Sequence, residues 1–394
     1  MEAHALRSPA ATAGERQCAQ SPPVAYLVVV HKGPTWEQTD IEPYCRLLSR
    51  RFVGEVWAFG SYEADVVIGR MRLRVVREHD WRDFDNRMRF YLHARSWVRE
   101  LRAARPSCLV FVALDPFAAG LVTLYAARRT RSPFVCEVNG VYASHHNTAD
   151  TRMALLRPLR MVARRLVGTV VLRRATAVRL LFPEQLRGFV RLPERVIYRQ
   201  FFETTNLAAF HPGTEERIIL GVGSPFRVKG FDLLCEAFRL LASCHPDWKL
   251  VLIGYRAPQE VQERGLAHTR IEVYPGLKQP QVAEWMARCA IFALPSRTEA
   301  MGRVLLEAAT AGKCRVGARV DGIPTVIEDG VDGMLVDPES VDHLVAALDQ
   351  LMSDPALRLR LGEAARSRVA REFSEDAYLD HYGELMSAAL KGRA

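Results

Sequence analysis

Lysine is scarce in this sequence: 48 arginines stand against 6 lysines. The formal net charge of +9 is therefore carried almost wholly by guanidinium groups. Such a skew also follows from coding bias, so the charge points no further than to anionic partners: nucleotide diphosphates, membrane lipids or nucleic acid. No nucleic-acid recognition motif is present, which leaves that partner without support. No apolar run reaches the ~18 residues of a spanning helix, and no transmembrane segment is expected. The eight cysteines include no CxxC pair. Several lie inside apolar runs such as CLVFVAL and CAIFALP, where a reduced thiol behaves as a small hydrophobe. A cytoplasmic protein is expected. Residues 1–22 lack an apolar h-region and read as a disordered tail.

A chain of 394 residues is long for one core and suits two domains. Apolar runs alternate with helix-period stretches: AYLVVV (25–30), CLVFVAL (108–114), PFVCEV (133–138), RIILGV (217–222), KLVLIG (249–254), CAIFALP (289–295) and CRVGA (314–318). Runs that are apolar throughout fit strands covered on both faces, hence parallel sheets in doubly wound α/β domains. FHPGTEE (210–216) is a polar break before a fresh strand. It divides an N-terminal domain, 23–209, from a C-terminal one, 210–374, and residues 375–390 read as a final helix.

Two segments carry chemistry. RIILGVGSPFRVKGFDLLCEAFRLL (217–241) reads as strand, loop and helix. Its loop holds Gly221, Gly223 and Gly230, with Arg227 and Lys229 between them. Glycine admits a close ligand, and the cations can meet phosphate oxygens at a helix N-terminus. Alone, such a loop is equally a surface turn with solvated charges. The second segment runs from Phe292 to Ser340. A strand ends at Pro295, and a helix begins near Gly302. Glu299 precedes that helix, and Glu307 lies about one and a half turns inside it. Amides near Ala300, Met301, Gly302 and Arg303 would face an anion. A carboxylate on either side can accept from the vicinal hydroxyls of a sugar. The apolar residues around Glu307, VLL and AATA, argue against a solvated carboxylate there.

The Glu-x7-Glu spacing, VKGFDLLCEAF, YPGLKQPQVAEWMARCAIFALPS and ARVDGIPTVIEDGVDGMLVDP together resemble the retaining GT-B glycosyltransferases of the group 1, family 4-like type. The resemblance covers the C-terminal half. It implies two Rossmann-like domains facing a cleft, with the last helix crossing back to the first domain. It implies a nucleotide-sugar donor, uridine by default, and no metal or other cofactor. Lys229 would meet the donor phosphates, Glu307 the ribose, Glu299 the transferred sugar, and Leu277 would border the base. Backbone amides from Met301 to Arg303 would meet the diphosphate and sugar.

The sequence departs from that pattern at three places. Ser224 follows Gly223 where the family has arginine; Arg227 is the nearest replacement cation. The pair that is often His-Gly beside the reacting sugar is Asn139-Gly140, and asparagine cannot exchange protons as histidine does. The first glycine-rich turn is reduced to HKGP, with Gly33 its only glycine. These departures motivate a second reading, an inactive GT-B protein that binds or regulates.

Other features weigh less. Asp83-Phe84-Asp85 matches a metal-binding DxD pattern but follows no clear apolar strand, and it reads as solvated. His145 and His146 read as a polar loop, and His31 is a candidate to line the cleft. Residues 152–199 hold twelve arginines and two glutamates, with no lysine or aspartate. Pro158 is placed to open a helix on which Leu159, Val162, Leu166 and Val170 recur at helical spacing. Arg160 and Arg164 fall opposite that stripe, and Arg165 lies beyond its other edge. The favoured expectation is a core-packed helix with a solvated, arginine-rich surface. The competing one is a basic face on anionic headgroups, placing the enzyme peripherally on the inner membrane face beside a lipid-linked acceptor.

Overall fold

The computed structural model describes residues 25–31, 38–77, 84–142, 157–188, 193–201 and 207–392, with the side chains of 38–40, 84–88 and 157–160 set aside. The first sheet is built from β1 (Tyr26–His31), α1 (Gln38–Ser49), β2 (Val53–Gly60), β3 (Ala64–Ile68), β4 (Met71–Arg77), α2 (Phe84–Ala104), β5 (Leu109–Ala113), α3 (Ala118–Thr130), β6 (Phe134–Val138), α4 (Arg157–Leu172), β7 (Ala177–Leu180) and β8 (Ile197–Gln200). Its strand order is β3-β4-β2-β1-β5-β6-β7-β8. All pairs are parallel except β3 with β4, an antiparallel edge on an otherwise parallel sheet. Side chains alternate across each strand. Val28 and Val30 join one core cluster while Leu27 and Val29 join the other. That explains the unbroken apolar runs: both faces are covered.

The second sheet follows from β9 (Ile218–Val222), α5 (Phe231–Leu241), β10 (Lys249–Ile253), α6 (Ala257–Glu263), β11 (Ile271–Tyr274), α7 (Gln279–Arg288), β12 (Ile291–Leu294), α8 (Arg303–Thr310), β13 (Cys314–Ala318), α9 (Ile323–Val326), β14 (Met334–Val336), α10 (Val341–Ser353) and α11 (Pro355–Glu372). Its order is β11-β10-β9-β12-β13-β14, parallel throughout. The order reverses between β9 and β12. In an open α/β sheet the crevice beyond the strand ends at that point is where ligands bind.

The final helix, α12 (Glu375–Lys391), leaves the second sheet and packs on the first. Tyr378, Leu379, Tyr382, Leu385, Met386 and Ala389 are buried in a core cluster with β1, β2 and β5. Under it lies a buried polar knot. The Tyr382 hydroxyl donates to Glu137 at 3.0 Å. Arg179 donates to the same carboxylate at 2.6 Å and to the Phe201 carbonyl at 3.2 Å. Both charges are sealed from water. Removing one partner of a buried pair leaves the other unsatisfied, which costs about 3–5 kcal/mol. Glu137→Gln is therefore expected to lower unfolding stability by about that much in urea titrations monitored by tryptophan fluorescence.

One expectation is corrected here. The apolar stripe of α4 is not core: Val162 is 56 % exposed, Leu166 61 % and Val170 42 %. The helix instead buries Gly168, Thr169, Val171 and Leu172. Val171 crowds Gly120 of α3, where a Cβ would stand 2.7 Å from a Val171 methyl. Close approach at that glycine sets the rotation of α4 and turns the longer stripe outward.

Candidate functional site

The crevice at the switch point is formed by the loop after β9 and the loop after β12. The two loops are laced together. Gly230 caps α5 with φ of 70°, and a Cβ there would lie 2.0 Å from the Pro295 carbonyl oxygen. The Arg297 amide donates to the Val228 carbonyl at 2.8 Å. Its guanidinium, nearly buried, bonds the Arg227 carbonyl at 2.6 Å and Asp232 at 2.7 and 3.0 Å. Arg297 and Asp232 are site-building residues that the sequence did not single out.

The Lys229 stem runs past Gly223, where a Cβ would stand 3.0 Å from it. Its ammonium donates to Glu299 at 2.5 Å, and both side chains are mostly shielded. Two of the expected site residues are thus brought into one ion pair. The Glu299 amide donates to Asp321 at 3.1 Å, Thr298 donates to the same carboxylate oxygen at 2.6 Å, and the Glu299 carbonyl accepts from Gly322 at 3.0 Å. Asp321 and Gly322 hold this loop from behind. A Cβ on Gly322 would fall 1.8 Å from the Ala300 carbonyl oxygen. Gly322→Ala is therefore expected to displace the 298–302 loop and to weaken nucleotide binding at least tenfold by calorimetry, with far-UV circular dichroism unchanged.

Gly302 opens α8 with φ of 73° and offers no side chain to cap it. The free first-turn amides and the positive helix end suit an anion. Met301 is buried beneath them and Arg303 is exposed. Inside the helix, burial pushes the Glu307 carboxyl up to about 7, against a small opposing pull from Arg303. Among the described residues no side chain or amide bonds this carboxylate. A shielded carboxylate without a protein partner is costly to ionise. Its natural complement is a pair of hydroxyl donors. Arg227 and Ser224 lie exposed on the rim, and Leu277 is half-buried after β11. Beside it, Tyr255 is 73 % exposed, with its amide 3.9 Å from a Cβ built on Gly276. It stands two residues after the β10 strand.

Asn139 sits elsewhere, at the end of β6. Its amide donates to the Leu114 carbonyl at 3.1 Å and its oxygen accepts from Arg179 at 2.6 Å. The carboxamide belongs to the polar knot beneath α12. His31 is largely buried, and burial pulls its imidazole down to about 4, so it stays neutral. Gly33, Asp83, His145 and His146 lie outside the described residues, as does the Asp85 side chain. The strand that precedes the DxD segment is β4, unrecognised in the sequence because arginines interrupt it.

Residues 203–368 match the family model described as glycosyl transferases group 1. That stretch, which is most of the second domain, is similar to the group 1 glycosyl transferases. Among curated relatives, it is 33% identical over 179 residues to a D-inositol 3-phosphate glycosyltransferase of Xylanimonas cellulosilytica, covering 42% of each chain. It is 30% identical over 195 residues to an N-acetyl-alpha-D-glucosaminyl L-malate synthase of Bacillus anthracis, covering 48% of this chain and 50% of that one. The match spans about half the length of these relatives. A solved sucrose-phosphate synthase from Thermosynechococcus elongatus superposes with a TM-score of 0.71 at 19% identity, over 92% of this chain and 98% of its own. Anabaena HepE, crystallised with UDP and glucose, gives a TM-score of 0.69 at 16% identity, over 92% and 100%. These likenesses show the GT-B fold: two Rossmann-like sheets with flanking helices. Among the described residues, no helix is long and apolar enough to cross a membrane.

Proposed function

We propose that this protein transfers a hexose from a nucleoside diphosphate sugar to a hydroxyl acceptor, with retention and without a metal, in cell-surface polysaccharide or glycolipid assembly. The observation that carries the reading is Glu307: an unpartnered, shielded carboxylate inside an uncapped helix whose threshold holds Glu299 and Lys229. A ribose diol on Glu307 would set the diphosphate over the α8 amides and beside Lys229. The sugar would then lie at Glu299. The complexes of HepE with UDP and with UDP-glucose support uridine as the base.

The difficult step is departure of the diphosphate from C1 through an oxocarbenium-like state. Charge growing on the leaving group would be met by Lys229, Arg227 and the first-turn amides. The acceptor hydroxyl attacks from the face that the diphosphate leaves and gives its proton to the departing phosphate. Asn139 is not available for that proton, being bound into the fold. The same observation favours a second reading, an inactive GT-B protein that binds the nucleotide sugar and regulates.

Calorimetry with UDP and GDP, with wild type and Glu307→Ala, tests the site. The variant is expected to lose about 1.5–3 kcal/mol of affinity, the range for hydrogen bonds to a charged group. Unchanged affinity removes the assignment. A panel of UDP-, GDP- and ADP-sugars then separates the two readings: turnover supports the enzyme, whereas binding without turnover supports the regulator. Activity is expected to survive EDTA, and proton NMR of the product should show the donor's anomeric configuration.

A further inference from the structure

The outward stripe of α4 has no role in the donor site. Val162, Leu166 and Val170 stand at i, i+4 and i+8, and each is more than two-fifths exposed. The neighbouring helices of the same layer add to it. Leu121 of α3 is 46 % exposed and Leu92 of α2 is 52 % exposed. The layer thus presents a row of apolar side chains that nothing in the chain covers among the described residues.

On α3 and α4 the charge is of one sign. Neither α3 nor α4 contains an aspartate or a glutamate. Arg128, Arg129, Arg165, Arg173 and Arg174 are exposed on or just beyond these two helices. None of the five has an ion-pair partner among the described residues. Arg129 packs over the Tyr125 ring at 5.7 Å, and Arg164 over the Phe117 ring at 4.8 Å. At the C-terminal ends of α2 and α3 a cavity of about 690 Å³ is lined by Arg102, Arg105, Arg129 and Arg131 with no carboxylate. An apolar stripe on α4, flanked by guanidinium groups of α3, of α4 and of the turn after it, matches the interface of an anionic bilayer, with the stripe among the acyl chains and the cations at the phosphates.

We infer that α4, with the exposed edge of α3, docks this protein on an anionic phospholipid surface, with Val162, Leu166 and Val170 entering the headgroup–acyl boundary. This deepens the acceptor side of the proposed function and rests on its lipid-linked form. The topology gives the contact a direction. The chain leaves β6 at the cleft end of the first sheet and returns along α4 to the start of β7. Val162 therefore lies toward the cleft and Val170 away from it. A helix lying flat on the lipid holds the cleft mouth close to the surface, within reach of an acceptor that cannot leave it.

The experiment is co-sedimentation with vesicles of phosphatidylcholine alone or mixed with phosphatidylglycerol. The full chain is expected to pellet with the mixed vesicles at low salt and to be released in part near ~1 M salt, where the Debye length falls to about 3 Å. The double variant Val162→Ser/Leu166→Ser is expected to lower the partition coefficient at least tenfold, and Arg165→Glu to lower it mainly at low salt. All three positions are solvent-facing, and unchanged far-UV circular dichroism and thermal unfolding confirm that the variants fold. Recovery of wild type in the supernatant with mixed vesicles overturns the inference, as does a double variant that pellets like wild type. A wild-type dimer in sedimentation velocity that the double variant abolishes, without vesicles, assigns the stripe to self-association and also overturns it. Nucleotide binding is read separately, so failure of vesicle binding leaves the donor-site reading standing.

Discussion

Glu307→Gln is expected to make the empty protein more stable at pH 8 by about 3 kcal/mol while removing tight nucleotide binding. The sign follows from burial. The folded carboxyl titrates at about 7 against an ordinary 4.5, so between those values the folded state holds a proton that the unfolded state has released. Stability from this group is full below about 4.5, falls as pH rises to about 7 and stays low above it. Glutamine keeps the shape without the charge, so the variant should match wild type near pH 4 and exceed it at pH 8. Thermal unfolding across that range checks this. The ligand works in the opposite direction. Two hydroxyl donors stabilise the carboxylate, so wild-type affinity for a UDP-sugar should rise from pH 6 to pH 8, and the glutamine variant should show no such rise. A parallel pH slope in both would assign the effect to another group.

Lys229→Ala is expected to lower kcat by about 10²–10³-fold, the effect of removing one fixed donor to a developing anion. In the empty site Lys229 is bound to Glu299 at 2.5 Å. On the proposed function, donor binding opens that pair, passing the ammonium to the diphosphate and the carboxylate to sugar hydroxyls. The two residues are therefore coupled. Glu299→Gln frees the lysine as well as removing a sugar contact, so its loss in UDP affinity should be smaller than its loss in turnover. A double-mutant cycle on kcat should be non-additive, as expected for groups in contact. Additive losses would mean that the pair is incidental.

The second domain was legible because its strands are unbroken apolar runs and its loops carry glycine where backbones meet. Gly230 against Pro295 and Gly302 at the head of α8 show why those positions admit no side chain. The first domain was harder to read. MRLRVVR and AVRL hide strands because Arg74 and Arg179 are buried in them, each neutralised by glutamates that lie far away in sequence or on another strand. Periodicity treats a buried arginine as a surface residue, and only the fold supplies its partner. The same limit misplaced α4. Its stripe of Val162, Leu166 and Val170 has the spacing of a core face, and whether it turns in or out depends on Gly120 of the neighbouring helix. Asn139 was legible as a departure but not as a structural ligand of Arg179, for the same reason.

The path of α12 has a consequence for how the protein is made. Six of its side chains complete a core whose other members lie on strands and helices near the start of the chain. During synthesis the first domain therefore emerges with an open apolar groove, and stays incomplete until residues beyond 375 have left the ribosome. The second domain has its own core and can close earlier. The half that appears first is the half that finishes last, and in the interval its uncovered face is the nascent chain's main exposure to chaperones and to misassembly.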